Sequence, residues 1–545
     1  MKFVRKIFPK QKEETFAQTD YQTFFGQNQH WLAPYAAFCA LRDKFGTPDF
    51  NQWPTHSVYR AKEVAALVEQ DSTVREEIEL NYFIQFHLHV QLQDAVKYIH
   101  AQGLILKGDI AIGVYRHGAD VWQHPELYHT DRQAGAPPDA FAVKGQNWGF
   151  PTYNWSRMKQ DGFAWWKQRF AQMSAYFDAF RIDHILGFFR IWSSPAHAVE
   201  GILGYFVPAI PVKLEEFRQR GIQFDHDRLM KPFINDEVLR EIFGPDAEKV
   251  KREFLVANPH GTYFLKLEFA TQRQLANHFA ALKTGPENKK LKEGLFDLIS
   301  NVILFEVEKS GGREFHFRLA MEDTLSFKNL DPQTRTKLKE LYVDYFFRRQ
   351  DDFWMQEALQ KLPALKRVTN MLICGEDLGM VPACVPVLMK QLGLLSLEIQ
   401  RMPKAIGLEF SRPADAPYLS VITPGTHDMS TIRGWWEEDR KLTQKFFHQE
   451  LHQPGDAPVH CETWINEAVV RQHLASPAMW SIFQLQDLLG MDQQLRRADF
   501  EAERINVPAN PKNYWRYRMH LTLEELLQAG AFNDRLKKLI QQNKR

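Results

Sequence analysis

The stretch D-G-F-A-W-W-K-Q-R-F-A-Q-M-S-A-Y-F-D-A-F-R-I-D-H-I-L-G-F, residues 161–188, carries the reading that decides the fold. Asp161 stands where a helix cap is expected. Phe163, Trp166, Phe170, Met173 and Phe177 follow at steps of three and four, which predicts an amphipathic helix. Ala179 to Asp183 then reads as a strand in which Phe180 and Ile182 share one face and Arg181 and Asp183 the other. Upstream, G-L-I-L-K-G-D-I-A-I-G-V (103–114) reads as another strand. Strand, crossover helix and strand make the parallel α/β unit.

The same rhythm returns beyond residue 370. Met371 to Cys374 reads as a strand, Pro382 to Leu392 as a helix with Pro at its start and Gly393 at its stop. Leu394 to Gln400, Leu419 to Thr423 and Ser481 to Leu485 read as further strands. Strand-like runs near 105, 180, 372, 396, 421 and 483 make six, where a closed (β/α)8 barrel of the TIM type has eight. The expected fold is therefore α/β, an incomplete barrel of about six strands, with 103–107 and 481–485 as exposed edges.

Residues 1–102 read as helices: A-P-Y-A-A-F-C-A-L-R-D-K-F-G stops at Gly46, and a later pattern through Val90 and Val96 stops at Gly103. Residues 193–370 break the rhythm with P-A-I-P-V, the polar run T-G-P-E-N-K-K-L-K-E-G (284–294) and amphipathic helices near 334–361. The expected organisation is 1–102 as an N-terminal helical part and 103–192 as barrel strands with an acceptor loop. A large, mainly helical insertion then occupies 193–370, and the remaining strands 371–545.

Lys+Arg 68 against Asp+Glu 67 leaves a net charge of +1, with no electrostatic footprint for nucleic acid or anionic lipid. M-K-F-V-R-K-I-F-P-K-Q-K (1–12) begins like a signal peptide but lacks the apolar run, and no segment is long and apolar enough to span a bilayer. A cytoplasmic location is expected, with no membrane partner. Cys39, Cys374, Cys384 and Cys461 are scattered, without a C-x-x-C pair, so neither a disulfide framework nor a zinc site is indicated. His87 and His89, two apart on a helix, diverge and read as a solvated or hydrogen-bonded pair ahead of a metal pair. No metal and no cofactor are expected. Aromatics at 13% fill the core for the most part, and some suit the apolar faces of sugar rings.

Three carboxylates end short apolar runs: Asp183, Glu376 in M-L-I-C-G-E-D-L-G-M-V-P, and Asp428 in P-G-T-H-D. Strand-end carboxylates at one barrel mouth suit glycosidic-bond chemistry. Each has a plainer reading. Arg181 and Asp183 form an ordinary strand-end ion pair, or a guanidinium keeping a nucleophile ionised. Asp377 rivals Glu376, which is preferred because Asp377 is placed to cap the next helix. Asp428 is itself a cap of the element beginning M-S-T-I-R-G-W-W, or a third carboxylate beside a histidine that bonds sugar hydroxyls.

In combination these passages resemble the α-amylase clan, and within it the 4-α-glucanotransferases of glycoside hydrolase family 77. The matching words are G-D-I-A-I-G-V (108–114), A-D-V-W (119–122), G-A-P-P-D-A-F (135–141) and G-Q-N-W-G-F-P-T-Y-N-W (145–155). To these are added F-R-I-D-H-I-L-G-F-F-R-I-W (180–192), C-G-E-D-L-G-M-V-P (374–382), P-G-T-H-D, Q-D-L-L-G (486–490) and N-Y-W-R-Y-R (513–518). The resemblance implies Asp183 as nucleophile, Glu376 as general acid/base and Asp428 as transition-state stabiliser. It implies substrate contacts from Arg181, His184, His427, Asp139, Gln146, Trp148 and Tyr153, with Trp148, Tyr153 and Trp155 as an acceptor platform.

The family's opening barrel strands are absent from the sequence, and the wording is nearer to its larger branch with N-terminal starch-binding domains. A missing N-terminal half is thus an expected partner. The expected activity is retaining transfer of α-1,4-glucan segments from a glucan donor to a sugar acceptor, as maltooligosaccharides, starch or glycogen. The rivals are an α-glucan hydrolase of the same clan and an inactive, truncated glucan-binding fragment.

Overall fold

The computed structural model describes residues 2–545 except 140–141, 260, 283–284, 406, 509 and 511–512. The last two residues of G-A-P-P-D-A-F and the first of the 284–294 run lie outside the described residues. The chain divides into two compact units. One comprises Met1–Pro138, Asn147–Phe180 and Gly187–Met371; the other comprises Asp139–Gln146, Arg181–Leu186 and Leu372–Arg545.

Six strands, with other short strands between them in the chain, are β1 (Lys107–Ile110), β2 (Ala179–Ile182), β3 (Leu372–Gly375), β4 (Ser396–Ile399), β5 (Ser420–Thr423) and β6 (Trp480–Ser481). The first three form one sheet in the order β1-β2-β3, and the last three another in the order β4-β5-β6. A parallel bridge between Cys374 and Leu395 lies between β3 and β4. The β4–β5 and β5–β6 ladders are parallel, pairing Leu397 with Val421 and Ile422 with Ser481. All four residues of β5 are buried, as expected for a parallel strand covered on both faces.

Two strand boundaries differ from the sequence reading. β1 begins at Lys107 rather than 103 because the preceding helix, Ser72–Ala101, uses Gly103 and Leu104 to finish itself. Gly103 sits at φ +70° and the Leu104 amide donates back to the Ile99 carbonyl, leaving Leu104 and Ile105 exposed. The run 481–485 is strand only at Ser481; Leu485 opens a short helix, Leu485–Leu489. β1 and β6 are the outermost strands of their sheets.

The crossover helix is Ala164–Ser174, shorter than its apolar pattern, so Phe177 lies beyond it. Asp161 does cap it in the chemical sense, its Oδ1 accepting the Ala164 amide at 3.1 Å. Trp166 and Phe170 are its buried face, Phe170 meeting Phe180 of β2 edge to face at 4.9 Å. After β3, Cys384–Leu392 forms a helix whose stop is Gly393 in the left-handed conformation.

In the first unit, Thr19–Phe45 and Ser72–Ala101 are long helices. His89 bonds the Tyr176 hydroxyl at 2.8 Å and His87 packs against the edge of Phe83, so the two histidines serve separate neighbours. Ile191–Pro195 pairs antiparallel with Arg132–Ala136 on one side and Tyr205–Val207 on the other. Four helices, Asp236–Phe243, Ala247–Phe254, Gln272–Ala280 and Pro286–Ser300, enclose a core of Leu239, Val250, Leu275 and Leu295. The polar run after residue 284 is the start of the last of these, with Pro286 at its first turn. Among the described residues no helix is long and apolar enough to cross a membrane, and no group of three or more His, Cys, Asp or Glu could hold a metal ion.

Candidate active site

The second unit gathers the three carboxylate motifs. On β2 the alternation sends Phe180 and Ile182 into the core and leaves Arg181 and Asp183 for the other face. Arg181 Nη1 lies 2.9 Å from Asp183 Oδ1, and its Nη2 lies 3.9 Å from Glu376 Oε2. One guanidinium thus faces two carboxylates, closely on Asp183 and at longer range on Glu376.

Glu376 is reached through β3 and Gly375. A Cβ on Gly375 would come within 2.9 Å of Ile185 and Met389 side-chain atoms, so the chain passes here only without a side chain. The Glu376 amide then donates to the Ile182 carbonyl, and its carbonyl accepts the Ile185 amide, both at 3.0 Å, locking the two strand ends together. Its side chain is held by backbone as well: Oε1 accepts the Leu378 amide at 3.0 Å and Oε2 the His184 amide at 2.9 Å. His184 stands at φ +44°, a conformation that costs a non-glycine residue on the order of 1 kcal/mol or more, and its amide is the one that meets Glu376.

The Glu376 side chain is 14% exposed. Burial pushes its pKa up to about 7; Arg181 opposes the rise, the Asp183 charge adds to it, and the two amides oppose it. A carboxyl that holds a proton near neutrality is what a general acid needs.

Asp377, one residue on, points elsewhere. It does not cap Cys384–Leu392, as the sequence suggested; its Oδ1 accepts the Leu397 amide of β4 at 2.9 Å and its Oδ2 meets Lys404 Nζ at 2.8 Å. Lys404 also reaches Glu398 Oε1 at 2.9 Å. Asp377 ties β3 to β4.

Asp428 is not a helix cap either. That place is taken by Thr431, whose hydroxyl accepts the Gly434 amide. Asp428 Oδ2 lies 3.3 Å from His427 Nε2, and Oδ1 accepts the side-chain amide of Asn506 at 2.7 Å. Burial raises its pKa, but His427, Asn506 and Arg181 together outweigh that and hold the carboxyl below its ordinary value. The Arg181 influence brings Asp428 into the electrostatic neighbourhood of the other two acids.

Of the remaining expected residues, Asp139 is exposed and its Oδ1 accepts the Ala142 amide. Gln146 begins the two-residue strand Gln146–Asn147 and is half-buried. In the first unit, Trp148 stacks on Phe150 at 5.6 Å. Tyr153 is 9% exposed, its hydroxyl donates to the Ile112 carbonyl, and Trp155, Trp165 and Trp166 surround its ring. It packs as core and presents no open ring face, which corrects its reading as a platform residue. Trp155 shares this packing, stacked on Trp166 at 6.2 Å with Lys361 Nζ over its ring at 4.9 Å.

Sequence reasoning missed Asn506 and Lys404, since a lone Asn or Lys in a loop carries no period or spacing. Trp515, 4.8 Å from His427 ring to ring, lies in the N-Y-W-R-Y-R string that the resemblance picked out without giving it a role. The buried Asp487 of Q-D-L-L-G receives the Ile432 amide at 2.8 Å, a structural use for that motif.

The 4-alpha-glucanotransferase DPE2 of rice (Oryza sativa subsp. japonica) is 41% identical over 99% of the chain, which spans 57% of that protein's length. The 4-alpha-glucanotransferase of Chlamydia pneumoniae is 23% identical over 99% of the chain and 74% of its own length. Among solved structures, an amylomaltase from Streptococcus agalactiae in complex with acarbose superposes with a TM-score of 0.59 at 18% identity, covering 100% of this chain and 79% of that one. An amylomaltase from Corynebacterium glutamicum gives 0.53 at 14% identity, covering 99% of this chain and 58% of that one, so the α/β fold is shared. The 4-alpha-glucanotransferase family model matches residues 1–523, and the chain therefore belongs to glycoside hydrolase family 77.

Proposed function

We propose that the chain is a retaining 4-α-glucanotransferase in which Asp183 is the nucleophile, Glu376 the acid/base and Asp428 the stabiliser. The observation that carries the reading is the Arg181 guanidinium set 2.9 Å from Asp183 and 3.9 Å from Glu376. Glu376 is raised to about 7, Asp428 is held low, and Arg181 bonds Asp183 directly.

The Asp183 carboxylate attacks the anomeric carbon of an α-1,4-linked donor while the Glu376 carboxyl gives its proton to the departing glycosidic oxygen. The product is a β-linked glycosyl ester and a shortened glucan. The incoming 4-hydroxyl of a second sugar then gives its proton to the Glu376 carboxylate as its oxygen displaces Asp183, which restores both residues and the α configuration. Asp428, kept ionised, stabilises the positive charge that develops on the sugar in both steps. Arg181, His184 and His427 are read as substrate-orienting groups around these acids, and Asp139, Gln146 and Trp148 as parts of the sugar groove. The six successive strands are read as an arc of a (β/α)8 barrel, with the mouth at their C-terminal ends.

The test is incubation of the purified chain with maltotriose. Glucane transfer yields glucose together with maltodextrins longer than the substrate, at constant total reducing ends. Shorter sugars alone, with reducing ends rising, would replace transfer by hydrolysis, and no turnover would overturn the reading.

A further inference from the structure

Asn506 lies far along the chain from the three carboxylate motifs, yet it makes four bonds to Asp428 and its surroundings. Its backbone amide donates to the His427 carbonyl at 3.0 Å. Its side-chain Nδ2 donates to Asp428 Oδ1 at 2.7 Å. Its Oδ1 accepts from Asn513 Nδ2 at 2.9 Å and from the Val507 amide at 2.9 Å.

The direction of this chain follows from donor and acceptor chemistry. An ionised carboxylate only accepts, so the Asn506 face turned to Asp428 must be its NH2. Its carbonyl oxygen is then left pointing away, and a half-buried amide oxygen needs a donor; Asn513 and Val507 supply two. Were the Asn506 amide to flip, its oxygen would oppose the carboxylate and its NH2 would oppose the donors of Asn513 and Val507, losing three bonds at once. Trp515, two residues beyond Asn513, packs on the His427 ring, so Trp515 and Asn506 each meet one member of the His-Asp pair.

We propose that Asn506 is a positioning residue for the stabilising carboxylate, aiming Asp428 through its amide while Asn513 fixes the direction in which that amide points. The inference rests on the role given to Asp428 above. The other groups that act on Asp428 are His427, its immediate neighbour, and Arg181 from the end of β2.

The experiment uses the full chain with Asn506→Ala, Asn506→Asp and Asn513→Ala, read by maltotriose disproportionation across pH, by thermal unfolding, and by titration of 13C-labelled aspartate carboxyls with Asp428 assigned through D428N. Loss of a hydrogen bond to a charged group predicts a fall in kcat of about tenfold or more for Asn506→Ala, with KM within about twofold. The Asp428 titration and the acid limb of kcat should both move upward in pH. Asn506→Asp, which sets one carboxylate against another, should lose more activity at neutral pH and recover part of it on acidification. Asn513→Ala should move the same quantities less far, and it carries the test should Asn506→Ala fail to fold. An unchanged Asp428 titration and acid limb in the folded variants would overturn the proposal, as would kcat losses that merely follow the unfolding midpoint. If the unsubstituted chain transfers no glucan, the functional reading fails, and the Asp428 titration still decides the positioning role.

Discussion

Glu376 and Asp377 are adjacent carboxylates at the end of one strand, and the two sides of that loop have been built for opposite ends. On one side Glu376 is met by two backbone amides and, at 3.9 Å, by a guanidinium already engaged with Asp183. On the other, Asp377 is 1% exposed and held by Lys404 at 2.8 Å and the Leu397 amide. Burial raises both, Glu376 to about 7 and Asp377 to about 6. A raised pKa alone therefore does not mark the acid. What separates them is the company: Glu376 shares the Arg181 guanidinium with Asp183 and its side chain is 14% exposed, whereas Asp377 has its oxygens on the Leu397 amide of a neighbouring strand and on Lys404.

The sharpest break of this comparison is to neutralise each acid in turn. Glu376→Gln should lower maltotriose transfer by about 10³-fold or more, because it removes the proposed proton donor. Asp377→Asn, which can still accept the Leu397 amide, should keep transfer within about threefold. In the unsubstituted chain kcat/KM should fall as pH rises through about 7, since Glu376 must enter the first step protonated. Comparable losses in the two variants, read by initial rates of glucose release, would erase the distinction.

A middle-sized effect is expected from Lys404→Met. It leaves Asp377 buried without its cation, a change that costs about 3 kcal/mol in unfolding free energy, discounted from a fully buried pair because Lys404 is partly exposed. The sign with pH follows from the raised Asp377 pKa. Lys404 lowers that pKa, so its loss raises the folded value above about 6; the penalty is fully present above the raised value, shrinks as pH falls toward about 6 and is lost below it. Denaturant melts at about pH 8 and about pH 5 check it, and a penalty independent of pH would show that Lys404 acts by packing.

The smallest effect concerns Gly375, the residue that both sides share. Gly375→Ala drives a methyl toward Ile185 and Met389, and overpacking of this kind costs about 1–3 kcal/mol. Because Ile185 donates its amide to the Glu376 carbonyl, transfer should fall along with the unfolding midpoint, by more than in Asp377→Asn. Full activity in a destabilised Gly375→Ala protein would separate the strand packing from the placement of the acid.

Period and spacing alone located the strands around residues 180, 372, 396 and 421, because each is a short apolar run between clear stops, and buried parallel strands leave that signature. They failed at 103–105, where helix capping claimed apolar residues, and at 481–485, where a short helix replaced the strand. The alternation that pairs Arg181 with Asp183 was legible for the same reason, two residues on one face of an extended chain. The sequence by itself thus determined the α/β class, the family and the order of the three acids. Only the tertiary structure decided that Asp377 ties strands while burial pushes Glu376 up to about 7, that Tyr153 is core, and that Asn506 reaches Asp428. Those depend on desolvation and on hydrogen bonds between residues 20, 41 and 78 positions apart, which no local pattern encodes.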